Sequence, residues 1–193
     1  MIEAKAVWEM DESHSDIRFK ARHLTITTVH GQFLKYKGTV TCKSERFEDA
    51  QVYVEIDAAS VETHQPMRDK HLKSPDFFDV SEYPLITFQS TLMHRSLDNG
   101  DFDLHGLLTI KNITRLVQLH VEYHGRQLDT NDCERVGFTV YGVVQRSAFQ
   151  LEWNGLNKAG NAIVSDQIRI QCEVQLMKRE SASIYQATLN SNI

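Results

Sequence analysis

Two groups of side chains in this 193-residue chain have the types and spacing to do chemistry. Arg68, Asp69, Lys70, His71 and Lys73 gather five ionisable groups just ahead of the aromatic pair Phe77-Phe78, a mixture that could hold a polar head above an apolar space. His120, Glu122 and His124 read H-x-E-x-H and, on a strand, share one face. With His105 from a neighbouring strand they make a surface cluster of nitrogen and oxygen donors of the kind that binds a metal. The spacing is not the helical H-E-x-x-H, which puts two His one turn apart. An exposed polar face is the default reading, and no metal or other cofactor is assigned. Nucleophiles find little support, because no G-x-S-x-G elbow is present and Cys133 lies between Asp132 and Glu134, whose charges disfavour a thiolate. These residues give no support to nucleophilic catalysis.

These side chains need a frame, and period-two alternation supplies it. Ile17, Phe19, Ala21 and His23 face one way in a strand from Asp16 to His23. A long strand is predicted from Gly31 to Lys43, with Leu34, Tyr36, Gly38, Val40 and Cys42 on one face. Further inward sets are Val52, Val54 and Ile56; Ile86, Phe88, Ser90 and Leu92; Phe102, Leu104, Gly106, Leu108 and Ile110; Val117, Leu119 and Val121; Val136, Phe138, Val140 and Gly142; and Ile168, Ile170, Cys172, Val174 and Leu176. Asp98-Asn99-Gly100-Asp101 is a hairpin turn signal, and Lys111-Asn112-Ile113-Thr114 turns the next pair of strands. If Ile110 stands opposite Arg115, Leu104 faces Val121 and His105 faces His120. About eight long strands with hairpin-scale links predict an all-β, antiparallel up-and-down barrel of the size that holds one small ligand. The barrel is read as one domain over 1–178, with 179–193 a frayed or weakly helical tail.

Composition narrows the partners. Net charge is −5 and the basic residues are scattered, so the electrostatic footprint of a nucleic-acid binder is missing. Hydrophobic content is 41% and mean hydropathy −0.39, with no apolar run long enough for a membrane span. Cys42, Cys133 and Cys172 are an odd set without C-x-x-C spacing, and the acidic first fifteen residues lack a signal-peptide pattern; both lead to the expectation of a cytoplasmic protein with reduced thiols.

Ser60 to Pro84 alone breaks the alternation. Its charges and aromatics predict a short helical lid around 66–80 that turns Phe77 and Phe78 inward while its charged side stays hydrated or paired. An ordinary loop with a hydrophobic anchor fits the same residues.

A pattern across nearly the whole chain then becomes legible. Trp8 with Asp11, His14-Ser15, Phe19 with Arg22-His23-Leu24, Gly31 with Phe33, Ser60-Val61-Glu62-Thr63, Arg68-Asp69 with His71-Leu72, Phe77-Phe78-Asp79-Val80, Tyr83-Pro84, Gly106 with Leu108-Thr109-Ile110, Gly137-Phe138 and Arg146 stand in the order and spacing of the YceI-like family, which the chain resembles from Trp8 to Leu176. The resemblance implies an extended lipocalin-like barrel that binds a polyisoprenoid or similar long-chain amphiphile, usually as a homodimer, without catalysis. The chain departs from the pattern at His64-Gln65-Pro66 and at Ser147-Ala148-Phe149-Gln150, where relatives often carry glycine.

An isoprenoid tail has no hydrogen-bonding groups, so its affinity must come from apolar area removed from water, about 25 cal/mol per Å². The expected lining is Phe19, Phe33, Phe77, Phe78, Phe88, Leu104, Phe138 and Trp153, with Arg68, Asp69 and His71 on the lid and His23 on an early strand as head-group candidates. Several of these could instead fill a closed core, and the charged ones could simply cap a helix. The rival ligand is an acyl lipid. Rival roles are an enzyme using His23 or His71 as base and a scaffold barrel with a filled lumen.

Overall fold

The computed structural model describes residues 6–24, 26–96, 100–153 and 163–179. Among these residues, eleven antiparallel strands occupy eight positions in a closed wall. The first position is one strand broken in two, β1 (Ala6–Met10) and β2 (Asp16–His23), and the second likewise, β3 (Thr27–Phe33) and β4 (Tyr36–Cys42). β5 (Gln51–Asp57) continues through a 3₁₀ turn into β6 (Val61–Glu62), and β7 (Leu85–Arg95), β8 (Phe102–Ile110), β9 (Ile113–Leu128), β10 (Glu134–Gln145) and β11 (Val164–Lys178) complete the ring. β1 pairs with β4, β2 with β3, and the last strand, β11, closes the barrel on both β1 and β2. Among the described residues the one α-helix, α1 (Pro66–Lys73), follows β6 at one end.

Both breaks have local causes. At the first, Asp11 leaves the ladder and its carboxylate accepts the Ser13 N–H at 3.0 Å. At the second, the Ser60 hydroxyl accepts the N–H groups of Leu34 and Lys35, each at 3.1 Å, so the predicted strand Gly31–Lys43 bends there instead of running through. Leu34, expected inside, is turned out and 60% exposed. A second inward position fails for another reason. Pairing between β7 and β8 slips between Ser90 and Leu92, a bulge that flips the alternation. Leu92 is exposed and Met93 takes the core place at 7% exposure.

The β8–β9 register also differs from expectation. The turn has two residues, Lys111 and Asn112, both at positive φ (52° and 59°), so Ile110 faces Ile113, Leu104 faces Leu119 and His105 faces Gln118. Positive φ at both central residues is the type I′ geometry that matches strand twist. The Asp98-Asn99 part of the other hairpin signal and the tail call of 180–193 lie outside the described residues. No described helix is long and apolar enough to cross a membrane.

One end of the barrel is sealed by a network of charges around Trp8. Arg126 and Lys178 sit over the Trp8 ring at 5.4 and 5.5 Å, and both bond Glu134. Asp11 accepts from Arg135 and Gln175 and pairs with His14. Burial works to raise the Asp11 carboxyl, but the His14, Ser13 and Arg135 hydrogen bonds outweigh it and hold it below the usual carboxylate range. The Lys178 ammonium, followed by Arg126, outweighs burial at Glu134 in the same direction. Folded carboxyls with lowered pKa contribute stability that is complete at neutral pH and fades as pH falls below about 4, because the unfolded chain takes up protons first. The urea midpoint is therefore expected to hold from pH 7 to 5 and then fall. Asp11→Asn should flatten part of that fall, and an unaltered acid slope in the variant would remove Asp11 from the account.

Candidate functional site

The barrel encloses an apolar cavity of about 230 Å³ that reaches from Phe47 at the charged end to Phe78, Phe149 and Leu151 at the α1 end. Apart from Arg18, Thr39, Arg146 and Cys172, every lining side chain is a hydrocarbon, a thioether or a glycine, and no polar atom is exposed to the space. Burial pushes the Cys172 thiol up to about 12, so it carries no thiolate at neutral pH.

Two close approaches keep the space open. An added Cβ at Gly31 would stand 2.2 Å from the Phe19 ring, and one at Gly106 would stand 2.3 Å from the Phe88 ring. The tips of both rings thus occupy the space that a side chain at the glycine would need. Any larger residue would drive them into the lumen.

Six of the expected lining residues, Phe19, Phe33, Phe78, Phe88, Leu104 and Phe138, face the cavity. His23, Arg68, His71, Phe77 and Trp153 do not. His23 ends β2 opposite Thr27. Arg68 donates through Nε to the Thr63 hydroxyl and through a terminal nitrogen to the Thr63 carbonyl, both at 2.7 Å, while Asp69 accepts the Thr63 N–H at 2.9 Å. The charges of α1 therefore fasten the helix to the chain before it, which is the capping alternative. His71 pairs with Asp76 at 2.9 Å and packs edge-on against Phe77 and Trp153, with centroids at 5.1 and 5.5 Å. These three rings form a separate aromatic latch outside the lumen wall. Phe78 alone of the aromatic pair enters, edge-on to Phe33 at 5.8 Å.

Arg146 is 8% exposed and borders the cavity, but its guanidinium turns into the wall. It donates to the carbonyls of Leu151, Ser165 (3.2 Å) and Val164 (3.5 Å), which ties the 3₁₀ turn Arg146–Phe149 to the start of β11. Sequence periodicity missed Phe47, Phe149 and Leu151, because all three sit in non-alternating connections. A lone aromatic in the polar stretch Ser44-Glu45-Arg46-Phe47-Glu48-Asp49 was the available signal.

The metal cluster that the alternative reading of His105, His120, Glu122 and His124 requires is not assembled. His105 stacks on His94 at 5.9 Å, His120 lies 3.4 Å from Asp101, Tyr141 bonds Glu122, and His124 bonds the Thr139 hydroxyl at 2.6 Å. Among the described residues, no three His, Cys, Asp or Glu side chains converge on a metal position. The two-residue turn, which moves His105 two places out of register with His120, is the reason.

The two departures from the glycine pattern fall on left-handed backbone. His64 has φ 59° and Gln150 φ 54°. Left-handed conformation costs a side chain roughly 1–2 kcal/mol, against the entropic cost of glycine of about 0.5–1 kcal/mol. Gln150 is exposed, so Gln150→Gly should stabilise by a net of roughly 0.5 kcal/mol, read as a rise in urea midpoint. A fall in midpoint would show that the Gln150 side chain does more than cap the turn.

Protein YceI of Escherichia coli is 31% identical over 144 residues, covering 75% of this chain and 74% of that protein. BcnA of Burkholderia cenocepacia shares the fold with a TM-score of 0.74 at 21% identity, over 86% of this chain and 98% of its own. A polyisoprenoid binding domain from Saccharophagus degradans does so at 0.64 and 14% identity, over 89% and 98%. The YceI-like domain model matches residues 8–176, and with the Escherichia coli relative at this identity and coverage the chain belongs to the YceI-like family.

Proposed function

We propose that the barrel binds one long-chain hydrophobic ligand of the polyisoprenoid or isoprenoid quinone type in its lumen, and carries or stores it without chemical change. The observation that carries this reading is the cavity, which exposes no polar atom to the space in the middle of a closed barrel. Such a wall can reward only apolar area, and each methylene taken from water contributes roughly 0.8 kcal/mol before entropy costs. The Saccharophagus degradans domain of similar fold is described as polyisoprenoid binding, which supports the ligand class.

Phe19, Phe33, Phe78, Phe88, Leu104 and Phe138 are the ligand contacts in this proposal. The rivals that use His23 or His71 as base lose support, since neither side chain borders the lumen. A filled scaffold barrel is disfavoured by the cavity itself. Free Cys42, Cys133 and Cys172 support a reducing, cytoplasmic setting. Leu107 and Leu116 are cross-strand partners on the outer face, 39% and 67% exposed, and are a physical basis for homodimer formation. Native mass spectrometry of the purified protein, followed by organic extraction, tests the reading. A prenyl compound near one per barrel is expected. Acyl lipids would reassign the class, and a chain that stays bare after incubation with isoprenoid quinones would overturn binding.

A further inference from the structure

The two ends of the lumen are built differently, and the difference bears on which ligands fit. At the charged end, the loop between β4 and β5 folds back under the barrel. Asp49 accepts the N–H groups of Lys43 (2.8 Å) and Ser44 (3.1 Å), the Ser44 hydroxyl accepts the Arg46 N–H at 3.0 Å, and Arg126 donates to the Glu45 carbonyl at 2.8 Å. This loop carries Phe47 inward. Its φ is 61°, a left-handed conformation that is costly for an aromatic residue and persists only where the surroundings fix it. The ring is 1% exposed and faces the cavity, with Phe138 edge-on at 5.4 Å, Trp8 at 5.3 Å behind it, and the Arg126 guanidinium 5.9 Å over its face.

The opposite end is built differently, with Leu72, Phe77 and Val80 packed on the core beside Phe78. No residue of α1 is buried, and its charged side chains bond within their own stretch, Arg68 and Asp69 to Thr63 and His71 to Asp76. Only Phe78 reaches from this segment into the lumen wall, and the His71–Phe77–Trp153 latch is built of ring contacts. An apolar chain entering here would run along the barrel until it met the Phe47 ring.

We propose that Phe47 is the floor of the lumen and sets the longest chain the protein accepts, with the ligand's polar end left at the α1 side. This rests on the lumen being the binding site. A floor predicts a length cut-off. Affinity should climb with chain length, about fourfold for each methylene that finds room, and then level off when the next carbon meets the ring.

The test uses the full chain and the all-trans prenyl alcohols farnesol, geranylgeraniol and geranylfarnesol, with dissociation constants from native mass spectrometry titrations. In Phe47→Ala, the first alcohol beyond the wild-type plateau should bind about tenfold tighter than it does to wild type, while alcohols below the plateau change less than twofold. Phe47→Leu, which keeps an apolar filler and protects folding, should show the same shift at about threefold. A plateau at the same length in folded variants, or faster exchange with no change in length preference, would overturn the floor. If the unaltered protein binds none of the series, the lumen reading itself fails and the length rule falls with it. Those two failures are separated by the wild-type titration alone.

Discussion

Val140→Trp is expected to raise the melting temperature and to weaken ligand binding by roughly two orders of magnitude. Val140 faces the cavity at mid-height, between Val121 on β9 and Cys172 on β11. In an ordinary core such an enlargement overpacks and costs about 1–3 kcal/mol. Here the space ahead of the side chain is empty, so the indole fills a void, and cavity filling commonly stabilises by roughly 0.5–2 kcal/mol. The ligand loses what the indole occupies. Displacing about 100 Å² of its apolar contact removes about 2.5 kcal/mol, close to a factor of a hundred. Calorimetric melting and a ligand titration on the same sample read both quantities. A lower melting temperature would mean that the cavity is not a true void, and unchanged affinity would place the ligand elsewhere.

The second large effect concerns Trp8. Its ring is 1% exposed, packs against Phe47 at 5.3 Å, and carries the Arg126 guanidinium and Lys178 ammonium at 5.4 and 5.5 Å. Trp8 also lies on β1, where it faces Val40 of β4 and Lys178 of β11, so it packs at the seam that closes the ring. Trp8→Ala should cost about 3–5 kcal/mol, read as a large drop in urea midpoint. Trp8→Phe should recover most of that, since it keeps the ring contact with Phe47. A drop below 1 kcal/mol for the alanine variant would show that charges, rather than packing, hold this end together.

How much of this was legible beforehand depends on what each residue's neighbours are. Phe102 to Ile110 read correctly because β8 is regular along its whole length and every second side chain meets the core. Leu92 misread because one extra backbone residue inverts the faces, and a bulge leaves no mark in composition. Leu34 misread because the Ser60 hydroxyl, twenty-six residues away in sequence, bends the strand there. β1, five residues long, went unassigned as a strand although Trp8 was noted, since so short a run carries little periodicity. The site divides along the same line. Phe19, Phe88, Leu104 and Phe138 are strand positions and follow from alternation, whereas Phe33 faces inward only because the strand breaks after it and the phase of the alternation changes there, and Phe77 and Trp153 lie in irregular segments where hydrophobicity does not say which way a ring turns. Arg68 and Asp69 were head-group candidates from the family pattern and their charge, and Thr63 in the preceding chain holds both.

The closure of β11 on β1 and β2 has a kinetic consequence. Every wall position before it can pair with its predecessor as the chain emerges, but the ring stays open until residues 164–178 have been made and meet strands more than 140 residues earlier, as in the pairing of Ile168 with Ala21. Contacts of that sequence separation put folding on the slow, millisecond-to-second scale of β-rich domains. Until then the edges of β1 and β2 are unpaired and the hydrocarbon interior is open to water and to other chains. No enclosed space exists before that last pairing forms, so the lumen can hold an occupant only once β11 has docked.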